Sequence, residues 1–417
     1  MSTPSLYDLS PALRLMIVGL LVALGPLAWV WLRKRHVSGA QRLRLLTLVT
    51  LFLTFDLVIF GAFTRLTDSG LGCPDWPGCY GHASPVGAQV PIDAAQTAMP
   101  SGPVTHAKAW IEMVHRYLAT GVGVMILTLT VTSWLERKRY KSERWAALGS
   151  DSLGLPEKWQ RTDAGKQNGR GGRYVLSPWW PTLTLVWVCL QGAFGALTVT
   201  MKLFPVIVTM HLLGGMVLLA LLKAQAERYA RAQGAQSPVQ LPKMIRLFVL
   251  ATFALLWLQI ALGGWVSTNY AVLACTDFPG CQNSLWPAMD FSEGFTLWRK
   301  LGAGRDADNI SFSALTAIHY VHRLSAYVVF SAMLALAVKL YRLRAMHTNA
   351  QWLAGLAVLQ IATGLGNVLL GWPLAAAVLH TGGAAALVIV LTGIVFSSRN
   401  AFAPLIEPKL TASKLSA

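Results

Sequence analysis

Four histidines lie inside long apolar stretches of this 417-residue chain, at His115, His211, His322 and His380. An ionisable side chain within a membrane helix is costly and usually functional, and neutral imidazole is a good axial ligand for haem iron. Two of the four occur in similar stretches, I-E-M-V-H-R-Y at Ile111 to Tyr117 and I-H-Y-V-H-R-L at Ile318 to Leu324. An arginine follows each, Arg116 or Arg323, whose guanidinium would suit the carboxylate of a haem propionate. The alternative is a basic side chain snorkelling to the membrane surface.

The two stretches differ at one position of consequence. Glu112 in the first becomes His319 in the second, each three residues before the H-R histidine and so on the same helix face. A carboxyl group beside a bound macrocycle in low dielectric is a candidate for moving protons or steering an oxidised substrate; the competing reading is a carboxylate merely paired with Arg116. The difference predicts two pockets with different roles, the first reactive and the second holding a resident, electron-carrying haem.

Four of the five cysteines form two close pairs, C-P-D-W-P-G-C at Cys73 to Cys79 and C-T-D-F-P-G-C at Cys275 to Cys281. Each pair can close on itself, although four cysteines allow three pairings. Either a structural staple or a redox-active dithiol would fit, and the spacing alone is not a zinc motif. Cys189, alone in an apolar run, reads as a small packing residue.

The elements that position these groups follow from composition. With 54% hydrophobic and 13% charged residues and a mean hydropathy of +0.49, the chain is too apolar for an ordinary soluble protein and reads as an all-α integral membrane protein. Apolar runs at Leu13 to Leu32, 45–65, 109–135, 178–200, 203–222, 246–268, 313–340, 352–371 and 374–396 predict about nine membrane helices. The net charge of +17 is spread over short basic clusters between runs, the positive-inside pattern, which argues against nucleic acid as a partner. It sets the N-terminus outside, the C-terminal tail in the cytoplasm and the cysteine loops, 66–108 and 269–312, on the outer, periplasmic side of a bacterial inner membrane. The first run reads as a retained helix, since neither a basic n-region nor a cleavage site precedes it. Residues 141–172 read as a flexible linker, and His36, His82, His106 and His347 as solvated.

Internal spacing then reveals a repeat. Gly61 precedes Cys73 by twelve residues, as Gly263 precedes Cys275; Gln191 and Gly195 precede His211 at the same distances as Gln360 and Gly364 precede His380. The architecture is therefore two tandem pseudo-symmetric four-helix bundles plus one extra N-terminal transmembrane helix. The expected divisions are 1–44 for the extra helix and its basic loop, 45–223 for the first half, 224–245 for a cytoplasmic linker, 246–397 for the second half and 398–417 for the tail. At about 1.5 Å per residue, all four histidines lie roughly 8 to 15 Å below the outer boundary, two to a pocket. Gly121, Gly123, Gly214, Gly215, Gly382 and Gly383 would either admit a porphyrin or pack helices closely. Gln191 and Gln360 would bond a ligand imidazole or link helices.

The stretch T-R-L-T-D-S-G-L-G-C-P-D-W-P-G-C at Thr64 to Cys79, the E-x-x-H-R at Glu112, the H-R at His322 and the lone His211 and His380 together resemble the haem A synthase family over roughly residues 45 to 397. That family has eight helices in two similar halves, so the N-terminal helix is an addition. The resemblance implies oxidation of the C8 methyl group of haem O to the formyl group of haem A through hydroxylated intermediates. It implies that His115 and His211 flank the substrate haem, with Glu112 as the carboxylate needed for turnover, and that His322 and His380 ligate a haem b. It matches Cys73 and Cys79 to a pair that is disulfide-bonded in some members, and Cys275 and Cys281 to a pair found in a subset. The partners it implies are haem O synthase and an electron donor such as quinol or a redox protein, with a homo-oligomer left open. Two further function classes would use the same ligands: a bis-histidine cytochrome b that only carries electrons, and a haem chaperone or transporter.

Overall fold

The computed structural model describes residues 10–33, 37–151, 177–233, 239–299 and 310–398. Among them run eleven α-helices: α1 Ser10–Arg33, α2 Gly39–Leu66, α3 Gln89–Ala98, α4 His106–Asp151, α5 Trp179–Thr200, α6 Pro205–Ala232, α7 Lys243–Thr268, α8 Phe291–Gly294, α9 Phe312–Tyr341, α10 His347–Leu369 and α11 Leu374–Ser397. Nine of these are long and apolar enough to cross a bilayer, α3 and α8 being the exceptions. With no water to satisfy backbone groups in hydrocarbon, a helical fold is what such a sequence must adopt.

One sequence expectation needs correction. Residues 141–172 were expected to form a linker without helical character, yet α4 continues through Asp151. The segment K-S-E-R-W-A-A-L beginning at Lys141 consists mostly of strong helix formers, and propensity can extend a helix past its apolar stripe. The remainder of that segment, from 152, lies outside the described residues, as do His36 and the tail from 399.

The long helices pack as two rings. In the first, α2 and α5 each touch both α4 and α6; in the second, α7 and α10 each touch both α9 and α11. The rings meet through α6 against α11, flanked by α2 on α11 and α7 on α6. Exchanging α2 with α7 and α6 with α11 leaves this set of contacts unchanged, which is the pattern of a pseudo-two-fold axis. Because each ring crosses an even number of times, both run the same way and the axis lies along the membrane normal.

Helix α1 stands outside the rings, against α4. Its buried face carries Pro11, Leu15, Gly19 and Ala23, one residue per turn. A Cβ on Gly19 would come within 2.3 Å of Thr120 Cγ2, so the small residue is what lets the helices approach.

Away from the cysteine loops the bundle is closed by fully buried side chains, including Met125, Ile126 and Leu129 of α4, Met216, Leu219 and Leu222 of α6, and Leu336 and Leu340 of α9. In lipid these hold the helices by packing rather than by transfer from water. Thr47, Thr50 and Thr54 of α2 satisfy their hydroxyls on carbonyls four residues earlier. At the cysteine end Arg65 of α2 crosses to the second half. It donates to the Ser267 carbonyl at 2.6 Å and lies 4.3 Å over the Tyr270 ring.

Candidate functional site

The repeat brings each histidine ring against a glycine of a neighbouring helix. A Cβ on Gly61 of α2 would lie 3.0 Å from His115 Cε1, and one on Gly263 of α7 would lie 3.0 Å from His322 Cε1. Gly195 of α5 and Gly364 of α10 stand in the same relation to His211 and His380, at 3.4 and 3.2 Å. Contacts this close leave little or no room for a larger residue, so the four glycines seat the four rings. His115 on α4 and His211 on α6 stand on opposite helices of the first ring, as His322 on α9 and His380 on α11 do in the second. All four histidines are partly buried in the bundle.

The glycines that follow the histidines have another use. A Cβ on Gly214 would overlap the Gln191 amide, and one on Gly383 would fall 2.2 Å from Gln360 Nε2. Gly121 meets Val22, and Gly382 meets Ile59. All four pack helices, while Gly123 has open space. Gln360 donates to the backbone carbonyl of His380 at 2.9 Å, so it links α10 to α11 rather than bonding the imidazole.

Both cysteine pairs close within their own loops, Cys73 with Cys79 and Cys275 with Cys281, and all four sulfurs are buried. Each loop curls around an aspartate. Asp75 accepts from the Tyr80 and Gly81 amides at 2.6 and 2.7 Å, and Asp277 accepts from Gln282 and Asn283 at 2.7 and 2.9 Å. These bonds hold the Asp277 carboxyl below the usual range, that of the Asn283 amide foremost. The residues turned by each loop take positive φ, 48° at Tyr80 and 74° at Gly81, 56° at Gln282 and 57° at Asn283; only Gly81 adopts this without steric penalty.

Arg116 and Arg323 fasten these loops to the histidine helices. Arg116 Nη1 donates to the carbonyls of Asp75, Pro77 and Gly78 at 3.0, 3.2 and 2.5 Å. Arg323 donates to Asp277, Gly280 and Cys275 carbonyls at 2.8, 2.5 and 3.0 Å. Both guanidiniums are buried, and these donors already have acceptors.

Glu112 is turned toward the first loop. One oxygen accepts from the Cys73 amide at 2.7 Å and the other from Arg116, forming a buried ion pair. In the second half His319 instead places Nδ1 3.0 Å from the Ala271 carbonyl. The first loop thus presents an N–H to a carboxylate where the second presents a C=O to an imidazole.

The remaining residues fall as follows. His106 begins α4 with Nε2 2.5 Å from Asp93, and His347 begins α10 stacked on Tyr341 at 4.2 Å. Cys189, expected to pack inside, is exposed on the outside of α5. An apolar run of a membrane helix has a lipid face as well as a buried one, and hydropathy does not separate them.

Sequence reading missed two contacts. Gln259 Nε2 lies 3.1 Å from His322 Nδ1, and Thr363 Oγ1 lies 3.0 Å from His380 Nδ1. A signal existed for the first: Gln259 precedes Gly263 by four residues, as Gln191 precedes Gly195 and Gln360 precedes Gly364. Thr363 gave none, being one threonine among many in apolar runs.

These features define a class: a multi-pass membrane protein of two fused four-helix units, each with two facing histidines seated on glycine. Imidazoles on opposite helices of a bundle are a donor set that would suit an iron macrocycle. The chain belongs to the cytochrome oxidase assembly protein family COX15-CtaA, whose model matches residues 44–392. It is 33% identical over 346 residues to a heme A synthase of Shewanella oneidensis, covering 83% of this chain and 93% of that one. It is 24% identical to a heme A synthase of Rhizorhabdus wittichii, covering 80% and 87%, and 25% identical to that of Caulobacter vibrioides, covering 83% and 93%.

Proposed function

We infer that the chain is a haem A synthase, an oxidoreductase that acts on the methyl group of haem O to give the formyl group of haem A. The observation that carries this reading is the pair of histidines in each half, seated in repeat register, within a chain that matches the family along most of its length. The electron-carrying and transporting alternatives draw no support from the relatives' names.

The first half, residues 45–223, takes haem O as its substrate, between His115 of α4 and His211 of α6. Glu112, one turn from His115, supplies the carboxylate on which turnover depends. Its hold on the Cys73 amide and on Arg116 fixes where that carboxylate stands relative to the pocket. The second half, residues 246–397, holds a haem b on His322 and His380, which supplies one-electron chemistry when bound. The unpartnered Nδ1 atoms of His115 and His211 and the glycine seats of all four rings fit these roles.

Arg116 and Arg323 lie at the end of the pockets where propionates would emerge. They orient the loop carbonyls there, and any propionate pairing would share them with the loops. Basic residues at the far helix ends support an orientation with the disulfide loops in the periplasm, the N-terminus outside and the C-terminus in the cytoplasm of a bacterial inner membrane. Haem O arrives from a synthase, and electrons come from a donor such as quinol or a redox protein.

The test is co-expression with a source of haem O, followed by chromatography of extracted haems. Haem A accumulates with the intact chain and is absent with Glu112→Ala. Haem A formation unchanged by Glu112→Ala would remove the catalytic assignment, and none with the assembled wild-type chain would remove the function.

A further inference from the structure

The two pockets differ in what stands behind their imidazoles. In the second half, the Thr363 hydroxyl donates to the Leu359 carbonyl at 2.7 Å, four residues back, as other threonines in the bundle do. A hydroxyl has one proton to give. Its oxygen, 3.0 Å from His380 Nδ1, is therefore the acceptor of an Nδ1–H, which leaves Nε2 unprotonated and free for a metal. Gln259 reaches across from α7 and donates its amide nitrogen to the His322 backbone carbonyl at 3.1 Å, lying beside the ring at 3.1 Å from Nδ1 and 3.5 Å from Nε2.

The repeat register identifies their counterparts. Gln259 lies four residues before Gly263, and Leu57 lies four before Gly61. Thr363 lies seventeen before His380, and Phe194 lies seventeen before His211. Two polar contacts are thus replaced by two hydrocarbon side chains, and the Nδ1 atoms of His115 and His211 are buried without a hydrogen-bond partner. The peptide carbonyls of Gln191 and Gln360 stand near His211 and His380 alike, so they do not distinguish the halves. A stacked Phe60 ring, 6.2 Å from His115, is what the first half offers instead.

We propose that Thr363 and Gln259 are positioning residues, the first holding the His380 ring and the second the His322 backbone, that fix the second pair of histidines for tight, permanent haem ligation, and that Leu57 and Phe194 leave the first pair without these contacts so that its haem exchanges. A ligand histidine usually gives its other N–H to an acceptor, which fixes ring orientation and raises basicity, and Thr363 is that acceptor for His380; Gln259, a donor, holds His322 through its backbone carbonyl. A pocket that must keep its group gains from this, whereas one that must release a product does not. The inference rests on the reading of His322 and His380 as haem ligands, and the experiment separates the two.

Holoprotein is purified with Thr363→Val, Thr363→Ser or Gln259→Leu, and haem loss to an excess of a haem-binding acceptor protein is followed by absorbance. The midpoint potential and the low-spin electron paramagnetic resonance signal of the resident haem are recorded alongside. Thr363→Val and Gln259→Leu each speed loss of the resident haem by about 10–100-fold. Thr363→Val also raises its potential, because the iron loses a more basic ligand, and Thr363→Ser restores both properties. The reverse exchange, Leu57→Gln with Phe194→Thr, slows release from the first pocket. Unchanged loss and potential in Thr363→Val, or a Thr363→Ser variant that behaves like Thr363→Val, would overturn the proposal. Resident haem surviving His380→Ala would instead overturn the ligand assignment beneath it.

Discussion

The first and second halves share a ring of four helices, two glycine-seated histidines, an arginine on the backbone of a disulfide loop and an aspartate at the centre of that loop. What they do not share lies within a turn or two of the imidazoles. The first half has Glu112 and hydrocarbon behind its histidines; the second has His319, Gln259 and Thr363. Even the tyrosine that pins each loop is displaced along the helix: Tyr117 donates to the Ala83 carbonyl, while Tyr320 donates to that of Leu285. The fold has been kept and the chemistry varied, so residues that recur serve binding and residues that differ set the task of each half.

The comparison breaks most visibly at the ligands. His322→Ala or His380→Ala is expected to abolish the resident haem, whereas His115→Ala or His211→Ala keeps it and stops haem A formation; reduced-minus-oxidised spectra and haem extraction read both. Equal loss of resident haem from all four variants would erase the proposed division of labour.

Glu112→His, which gives the first half the second half's residue, is expected to cut haem A formation by about 10²-fold or more with resident haem intact, the scale of a positioned proton-transfer group. Glu112→Ala adds a second effect. It leaves Arg116 buried without its carboxylate, which costs about 3–5 kcal/mol for a broken buried pair and should lower the melting temperature in detergent.

The disulfides sharpen the contrast. Closing a loop this short is worth about 2–3 kcal/mol in either half by the chain-entropy estimate, so Cys73→Ser and Cys275→Ser should destabilise alike. Only Cys73→Ser is expected to reduce haem A formation strongly, because the Cys73 amide holds Glu112. Thermal melts and haem chromatography on both variants separate the two outcomes.

The smallest effect concerns pH. The Asp277 carboxyl is depressed in the folded protein, chiefly by the Asn283 amide. A depressed carboxyl contributes stability that is present above its unfolded value, about pH 4, and lost as pH falls through the lower folded one. Hydrogen exchange at the Gln282 and Asn283 amides should therefore stay protected down to about pH 4 and rise below it. Asp277→Asn is expected to remove that step.

Much of this was legible in the sequence because the fold obeys two simple rules. Hydropathy gave the nine long helices, and equal spacings from Gly61 and Gly263 to their cysteines exposed the duplication. The placing of all four histidines toward the first turns of their helices followed from where the apolar runs begin. Other features were hidden. Helix formers beyond Lys141 carry no apolar stripe, so the end of α4 was read as a linker. Cys189 could not be assigned to the lipid face, since both faces of a membrane helix are apolar.

The sequence by itself determined the class of fold, the repeat, the four histidines and the exchange of Glu112 for His319, because periodicity and spacing are properties of the chain. Only the tertiary structure decided what those residues touch. It gave Arg116 to three loop carbonyls, turned Glu112 onto the Cys73 amide and set Thr363 behind His380. Those contacts depend on how neighbouring helices rotate against one another, and spacing along a single helix carries no record of that rotation.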